Sequence, residues 1–145
     1  MITVRNFSHD PFYNQAFEEY IYQTFLDDDI FLLWQNSPSV IVGCYQNICR
    51  EVHVESLWRR GIPVVRRMTG GGTVYHDLGN VNYTYIIRTN GALNYDDVLT
   101  PVISALNTLG IPARKNRTCD IAVGDLKISG SAQRLVKGRL LHHGT

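Results

Sequence analysis

The chain has 145 residues, 44% of them hydrophobic, and fourteen Lys and Arg against thirteen Asp and Glu leave a net charge of +1. That length suits a domain with a real core, that hydrophobic share excludes a disordered chain, and the absence of a basic excess excludes generic nucleic-acid binding. The opening MITVRNFSHDPF is no signal peptide, no apolar run reaches the ~20 residues of a membrane span, and three cysteines without CxxC spacing point to a reducing cytoplasm, not a disulfide framework or zinc site.

Met1 to Arg5 suits a short strand. Asp10-Pro11 is a helix start, an N-cap residue followed by proline in the first turn. Tyr13, Phe17, Tyr20, Ile21 and Thr24 follow at helical spacing, so a helix is expected over 11–27, closed by Asp27-Asp28-Asp29. Apolar strands are expected over 30–35 and 39–45, separated by the turn chemistry of Asn36-Ser37-Pro38. A helix near 51–60 leads through Gly61-Ile62-Pro63 to a strand over 64–67. Strands over 73–76 and 82–88 flank a Leu78-Gly79-Asn80 turn, the second with one well-buried face and one mixed face. Val98, Val102, Ala105, Leu106 and Leu109 mark an amphipathic helix that ends at Gly110 and Pro112 and that Pro101 begins or bends. Ile121 to Ser129 reads as a hairpin about Gly124-Asp125, and a last strand starts near Arg139. This order indicates an α+β fold, a mixed, largely antiparallel sheet with helices packed on one face.

Two stretches carry chemistry. In RRMTGGGTVYHDLGN, two cations run into three glycines and then a stiff strand. Backbone amides in such a loop can cradle an anion beside the arginine charge, while the plainer reading is a tight turn between strands. The patterns GxxxxGK[ST] and GxGxxG are both absent, Tyr75 standing where the latter needs glycine. In DLKISGSA, alternation sets Lys127 and Ser129 opposite Leu126 and Ile128, and Gly130, Ser131 and Ala132 leave room beside them. Lys127 could reach into a cleft and hold a phosphate or carboxylate, or simply be solvated. His76 and Asp77 suggest a charged pair of structural kind near the loop. His142 and His143 alternate faces on a strand, which argues against a metal site made by both.

RRMTGGGTVYHDLGNVNYTY, DLKISGSAQR and HHGT, with the Asp10-Pro11-Phe12-Tyr13-Asn14-Gln15-Ala16 opening, Leu33-Trp34-Gln35-Asn36 and Val42-Gly43-Cys44-Tyr45-Gln46-Asn47, resemble the lipoate–protein ligase A family. That family belongs with the biotin and lipoate ligases and the octanoyltransferases. The resemblance implies a biotin/lipoate ligase-like, class II synthetase-like catalytic domain, of which residues 1–145 would be the N-terminal part, incomplete at its C-terminus and without the accessory domain. It implies activation of lipoate by ATP and Mg²⁺ to lipoyl-adenylate. The lipoyl group would then pass to a lysine of acceptor domains, such as 2-oxo-acid dehydrogenase E2 subunits or glycine-cleavage H protein. Carried over by residue, Lys127 is catalytic and meets both ATP and lipoate; Arg67, Gly72, Thr73, Val74 and Tyr75 bind ATP; Gly71, His76 and Tyr85 contact lipoate. Trp34 and Val42 join Tyr85 as candidate lining for the acyl tail. Asp120 is a metal or ribose contact, although Thr118-Cys119 departs from the family's usual Gly-Arg-Asn-Asp.

Two other readings stay open. An octanoyltransferase would use Cys119 as nucleophile and need no ATP. A fragment would be non-catalytic, or would need a companion C-terminal polypeptide. A biotin ligase is disfavoured because its GRGRxG-type loop is absent.

Overall fold

The first helix begins where Asp10 can cap it. The carboxylate accepts from the Phe12 and Tyr13 amides at 2.8 and 3.1 Å, with Pro11 in the first turn, where no N–H is needed. The computed structural model describes residues 1–90 and 94–145. In chain order they form β1 (Ile2–Arg5), α1 (Pro11–Thr24), β2 (Ile30–Trp34), β3 (Ser39–Val42), α2 (Ile48–Glu51), α3 (Val54–Arg59), β4 (Val64–Arg66) and β5 (Val74–His76). These are followed by β6 (Asn82–Arg88), α4 (Tyr95–Thr108), β7 (Ala113–Lys115), β8 (Ile121–Val123), β9 (Leu126–Ser129), β10 (Ser131–Val136) and β11 (Arg139–Gly144).

The strands make a five-stranded sheet of order β1-β2-β6-β11-β10 and two three-stranded sheets, β4-β3-β5 and β7-β8-β9. Pairing is antiparallel except for β1 with β2 and β3 with β4. The mixed, antiparallel-rich α+β class is therefore as expected, but the helices divide between the two faces of the large sheet. On one face, Ile21 and Tyr22 of α1 pack on Ile30, Ile86 and Leu141. On the other, Val98 of α4 packs on Tyr83 and Tyr85. The period-two alternation of β6 supplies both faces at once, so its polar Asn82 and Thr84 are buried along with its tyrosines. Helix α4 also covers the β7-β8-β9 sheet, through Leu99 against Ala113 and Ile121. That double duty turns its buried stripe, leaving Leu109 exposed and Pro101 inside the helix.

Helix α1 stops at Thr24, short of the aspartates. Arg139, from β11, donates to the carbonyls of Tyr22 at 3.3 Å, Leu26 at 3.2 Å and Asp28 at 3.1 Å, and to that of Phe25. A buried cation thus collects the orphan carbonyls of the helix end. The single helix expected near 51–60 is two short ones, broken at the extended Val52 and started separately by Asn47 and His53. Strands β2 and β3 enter different sheets because Asn36 is drawn inward, bonded to Asn14 and to His76 at 2.9 and 3.1 Å. Strand β10 went unread in the sequence. It pairs with β11 through a Lys137-Gly138 turn with φ of 49° and 75°, the left-handed pair a two-residue hairpin needs.

Candidate active site

Strands β4 and β5 do not pair with each other; they flank β3, one parallel and one antiparallel to it. The glycine segment between them is thus a crossover above the end of β3, not a tight hairpin turn. Beneath it lies Arg67, 7% exposed. Its Nε donates to Thr69 Oγ1 at 3.0 Å, and its Nη2 donates to the carbonyls of Gly70 and Gly72 at 2.6 and 2.8 Å. Nη1 reaches the Ile41 carbonyl at 3.3 Å. Burial lowers the guanidinium pKa, while the nearby Cys44 and Glu18 oppose that shift. Arg67 lines the cavity described below, and its donors mostly hold the loop. The carbonyls of Gly70 and Gly72 turn toward Arg67, and the amides of Gly71 and Gly72 find no acceptor among the described residues. Those amides are available to an outside anion.

The glycines differ. Gly71 has φ of 92°, and a Cβ there would lie 2.9 Å from Arg67 Nη2. A Cβ on Gly72 would meet nothing within 4 Å. Gly71 is thus required by the loop's own packing, whereas Gly72 borders open space.

The opposite wall is the β8–β9 hairpin. Val123 pairs with Leu126 across Gly124-Asp125, and Gly124 takes φ of 57°. Lys127 Nζ lies 3.0 Å from Asp120 Oδ1, while Thr118 donates its hydroxyl to Asp120 Oδ2 at 2.9 Å. Burial would raise the Asp120 carboxyl; hydrogen bonds from Lys127 and Thr118 outweigh it and hold the group below its ordinary value. Gly130 makes room for the lysine, since a Cβ there would stand 3.1 Å from Lys127 Nζ.

Both walls enclose one cavity of about 580 Å³. Lys127, Arg67 and the run from Gly71 through His76 all line it, with Trp34, Ile41, Asn82 and His143. Three candidates fall elsewhere. Tyr85 points to the α4 face, its ring 4.8 Å from that of Phe31, because it has the opposite parity on β6 from Asn82. Val42 is wholly buried and does not line this cavity. Cys119 packs against the cluster of Leu99, Ala113 and Ile121 and is not among the residues lining the cavity.

A buried polar seam behind the cavity was missed by sequence reasoning. Trp34 Nε1 donates to Thr84 Oγ1 at 3.0 Å, and Thr84 donates to Glu18 Oε1 at 2.5 Å. His143 Nδ1 sits 3.0 Å from Glu18 Oε1, and its Nε2 2.7 Å from Thr69 Oγ1. The seam joins helix α1 to the glycine loop. The available signal was a carboxylate, Glu18, that helical spacing places beside Tyr22 and Ile21.

His76, 5% exposed, is bonded to Asn36 and not to Asp77, whose carboxylate instead accepts from the Gly79 amide at 2.7 Å. Burial, then the proximity of His143 and Arg67, pull the His76 pKa down to about 4. His142 does face away from His143, toward Tyr83 and Tyr95. Among the described residues no group of three His, Cys, Asp or Glu side chains could hold a metal ion, and no helix is long and apolar enough to cross a membrane.

Residues 10–145 match the family model described as the lipoyl protein ligase A/B catalytic domain. The lipoate-protein ligase LplJ of Bacillus subtilis is 43% identical over 140 residues, covering 94% of this chain and 42% of the relative. P. falciparum LipL1, solved in complex with lipoate, superposes with a TM-score of 0.89 at 33% identity, over 99% of this chain and 46% of that one. A lipoate-protein ligase A bound with ATP superposes with a TM-score of 0.84 at 29% identity, over 99% of this chain and 63% of that one. The chain thus spans less than half the length of the curated relative.

Proposed function

The chain belongs to the lipoyl protein ligase A/B catalytic domain family, and we propose that it forms the adenylate-making part of an ATP-dependent lipoate ligase. The observation that carries this reading is the convergence of Lys127 and the glycine loop on one cavity with an inner end bordered by Trp34 and Ile41. Its volume lies within the range usual for small-molecule sites. The resolved relatives that hold lipoate or ATP support the two substrates.

A lipoate carboxylate must approach an α-phosphate, which brings two anions together. Lys127, held by Asp120, offsets their repulsion and stabilises charge on the phosphoryl oxygens. The free amides of Gly71 and Gly72 face the same need, with the buried Arg67 charge beneath them. A carboxylate oxygen bonds to the α-phosphorus, the bond to the bridging oxygen breaks, and pyrophosphate leaves with that electron pair. The ε-amine of an acceptor lysine, on a lipoyl domain of an E2 subunit or an H protein, then attacks the acyl carbonyl and expels AMP. The acyl tail fits the inner end, where Trp34 presents an apolar face while its N–H is satisfied by Thr84. Magnesium, when bound, would neutralise triphosphate charge. The residues suit it only as an ion carried mainly by phosphate oxygens, with Asp120 the adjacent carboxylate. Three free cysteines fit a cytoplasmic setting.

The test is lipoate-dependent exchange of pyrophosphate into ATP. The parent exchanges, Lys127→Ala loses on the order of 10²–10³ in rate, and Cys119→Ser stays close to the parent. Exchange that survives Lys127→Ala, or acyl transfer without ATP that dies with Cys119→Ser, would overturn the reading.

A further inference from the structure

Arg66 and Arg67 are neighbours in the chain, and strand alternation separates their side chains. Arg67 goes under the glycine loop and is buried, while Arg66, the last residue of β4, is exposed. Arg66 has no carboxylate partner among the described residues. Its Nη1 instead donates to three carbonyls, those of Gly43, Cys44 and Gln46, at 2.8, 3.3 and 2.9 Å. All three belong to one tight turn after β3, closed by the Gln46 amide donating to the Gly43 carbonyl at 3.1 Å. Carbonyl oxygens that converge on one point repel one another, and the guanidinium offsets that repulsion.

Each residue of the turn meets one residue of the glycine segment. A Cβ on Gly43 would run into the Gly71 carbonyl oxygen, so the two backbones pass too closely for any side chain. The Cys44 amide donates to the Thr69 carbonyl at 2.9 Å. The Tyr45 ring lies 3.9 Å from where a Cβ on Gly70 would stand. The side-chain amide of Gln46 is 3.2 Å from Thr73 Oγ1. The turn is therefore a collar on the glycine loop, a second hold that shares no contact with Arg67.

We propose that Arg66 is a positioning residue for the reaction. By gathering the 43–46 turn, it keeps the glycine loop in the arrangement whose Gly71 and Gly72 border the cavity with free amides. The inference rests on the reading above in taking a nucleotide as what those amides meet. Without the cation the three carbonyls turn to water, the collar loosens, and the loop samples other arrangements. A competent arrangement held by only about one molecule in ten lowers the apparent nucleotide affinity about tenfold. Global stability changes little, because Arg66 is exposed and water replaces it at the carbonyls.

The experiment uses three variants of the full 145-residue chain, Arg66→Gln, Arg66→Lys and Gly43→Ala. Each is followed by thermal melting, ATP titration and amide hydrogen exchange over residues 41–47 and 68–75. Arg66→Gln melts within about 3 °C of the parent, exchanges faster over both segments and binds ATP about tenfold more weakly. Arg66→Lys brings the affinity back to within about threefold and slows the exchange, because one ammonium offers three donors to three carbonyls. Gly43→Ala keeps Arg66 but pushes on the Gly71 backbone, and it too weakens ATP and hastens exchange over 68–75. Parental exchange over 68–75 in Arg66→Gln overturns the proposal, and so does parental ATP affinity in that variant. An Arg66→Lys protein no better than Arg66→Gln also overturns it, since the guanidinium would then act on something other than the collar. A parent that ignores ATP sinks the adenylate reading instead; hydrogen exchange still decides the collar, which stands if Arg66→Gln frees residues 68–75 and falls if it does not.

Discussion

The same substitution one residue apart should have opposite consequences. At Gly71, alanine meets two costs. The backbone is at φ of 92°, and leaving the L-compatible regions costs about 1–2 kcal/mol. The new methyl would stand 2.9 Å from Arg67 Nη2, so the guanidinium must shift and weaken its bonds to Gly70 and Gly72. A charge-assisted hydrogen bond of that kind is worth about 1.5–3 kcal/mol. With partial relaxation the total is about 3 kcal/mol, a fall in melting temperature of about 9 °C for a chain of this size. At Gly72 neither cost applies: φ is not in the left-handed region and no atom lies within 4 Å of the added carbon. Gly72→Ala should therefore melt within about 2 °C of the parent, yet bind ATP more weakly, because the methyl narrows the cavity border. Thermal unfolding followed by circular dichroism, paired with ATP titration, reads both. Equal melting losses for the two variants, or a Gly71→Ala protein as stable as the parent, would refute the loop account.

Three further outcomes are expected. Lys127→Ala should leave the melting temperature nearly unchanged, because the lysine side chain is 58% exposed and its ion pair is worth little to stability, so loss of exchange would be chemical and not structural. Glu18→Gln removes a fully buried carboxylate that Thr84 and His143 both address; a loss of about 2–4 kcal/mol is expected by urea denaturation, and a double-mutant cycle with Thr84→Val should show coupling above about 1 kcal/mol. Stability should also fall with acid in a defined window. His76 and His142 are each pulled down to about 4, mainly by burial, whereas the unfolded chain protonates them near ~6.5, so the unfolded state binds more protons between those values. The stabilisation is complete above that window and lost as pH falls through it, by up to about 1.4 kcal/mol per pH unit for each histidine. Melting curves from pH 7 to 4 test this, and His142→Phe should flatten the slope.

Local chemistry was legible in the sequence, and long-range chemistry was not. Asp10-Pro11 began a helix and Gly124-Asp125 closed a hairpin, since each needs only its neighbours. The end of α1 was misplaced because its cap is Arg139, more than a hundred residues away. Tyr85 was assigned to the acyl cavity on its apolar character, but which face of β6 meets the cavity depends on sheet register and on where α4 packs. His143 was weighed only as half of an adjacent histidine pair. Its partner Glu18 lies far along the chain, and no spacing rule connects them.

Arg67 shows why charge beside glycine is ambiguous in a sequence. An exposed arginine there would give its donors to a ligand; this one is buried and gives them to Ile41, Gly70 and Gly72. The two roles are nonetheless coupled. A peptide group is a dipole, so drawing the carbonyls of Gly70 and Gly72 inward presents the N–H ends of that backbone to the other side. The cation also remains only partly compensated by Glu18, which His143 and Thr69 separate from it along the seam. A positive potential therefore reaches the loop surface from a guanidinium that the loop itself already holds in order. Replacing Arg67 with lysine keeps the charge but cannot span Thr69, Gly70 and Gly72 together. Arg67→Lys should consequently lower the melting temperature and weaken ATP binding in parallel. A lysine variant that melts normally yet binds ATP poorly would mean that Arg67 touches the ligand directly.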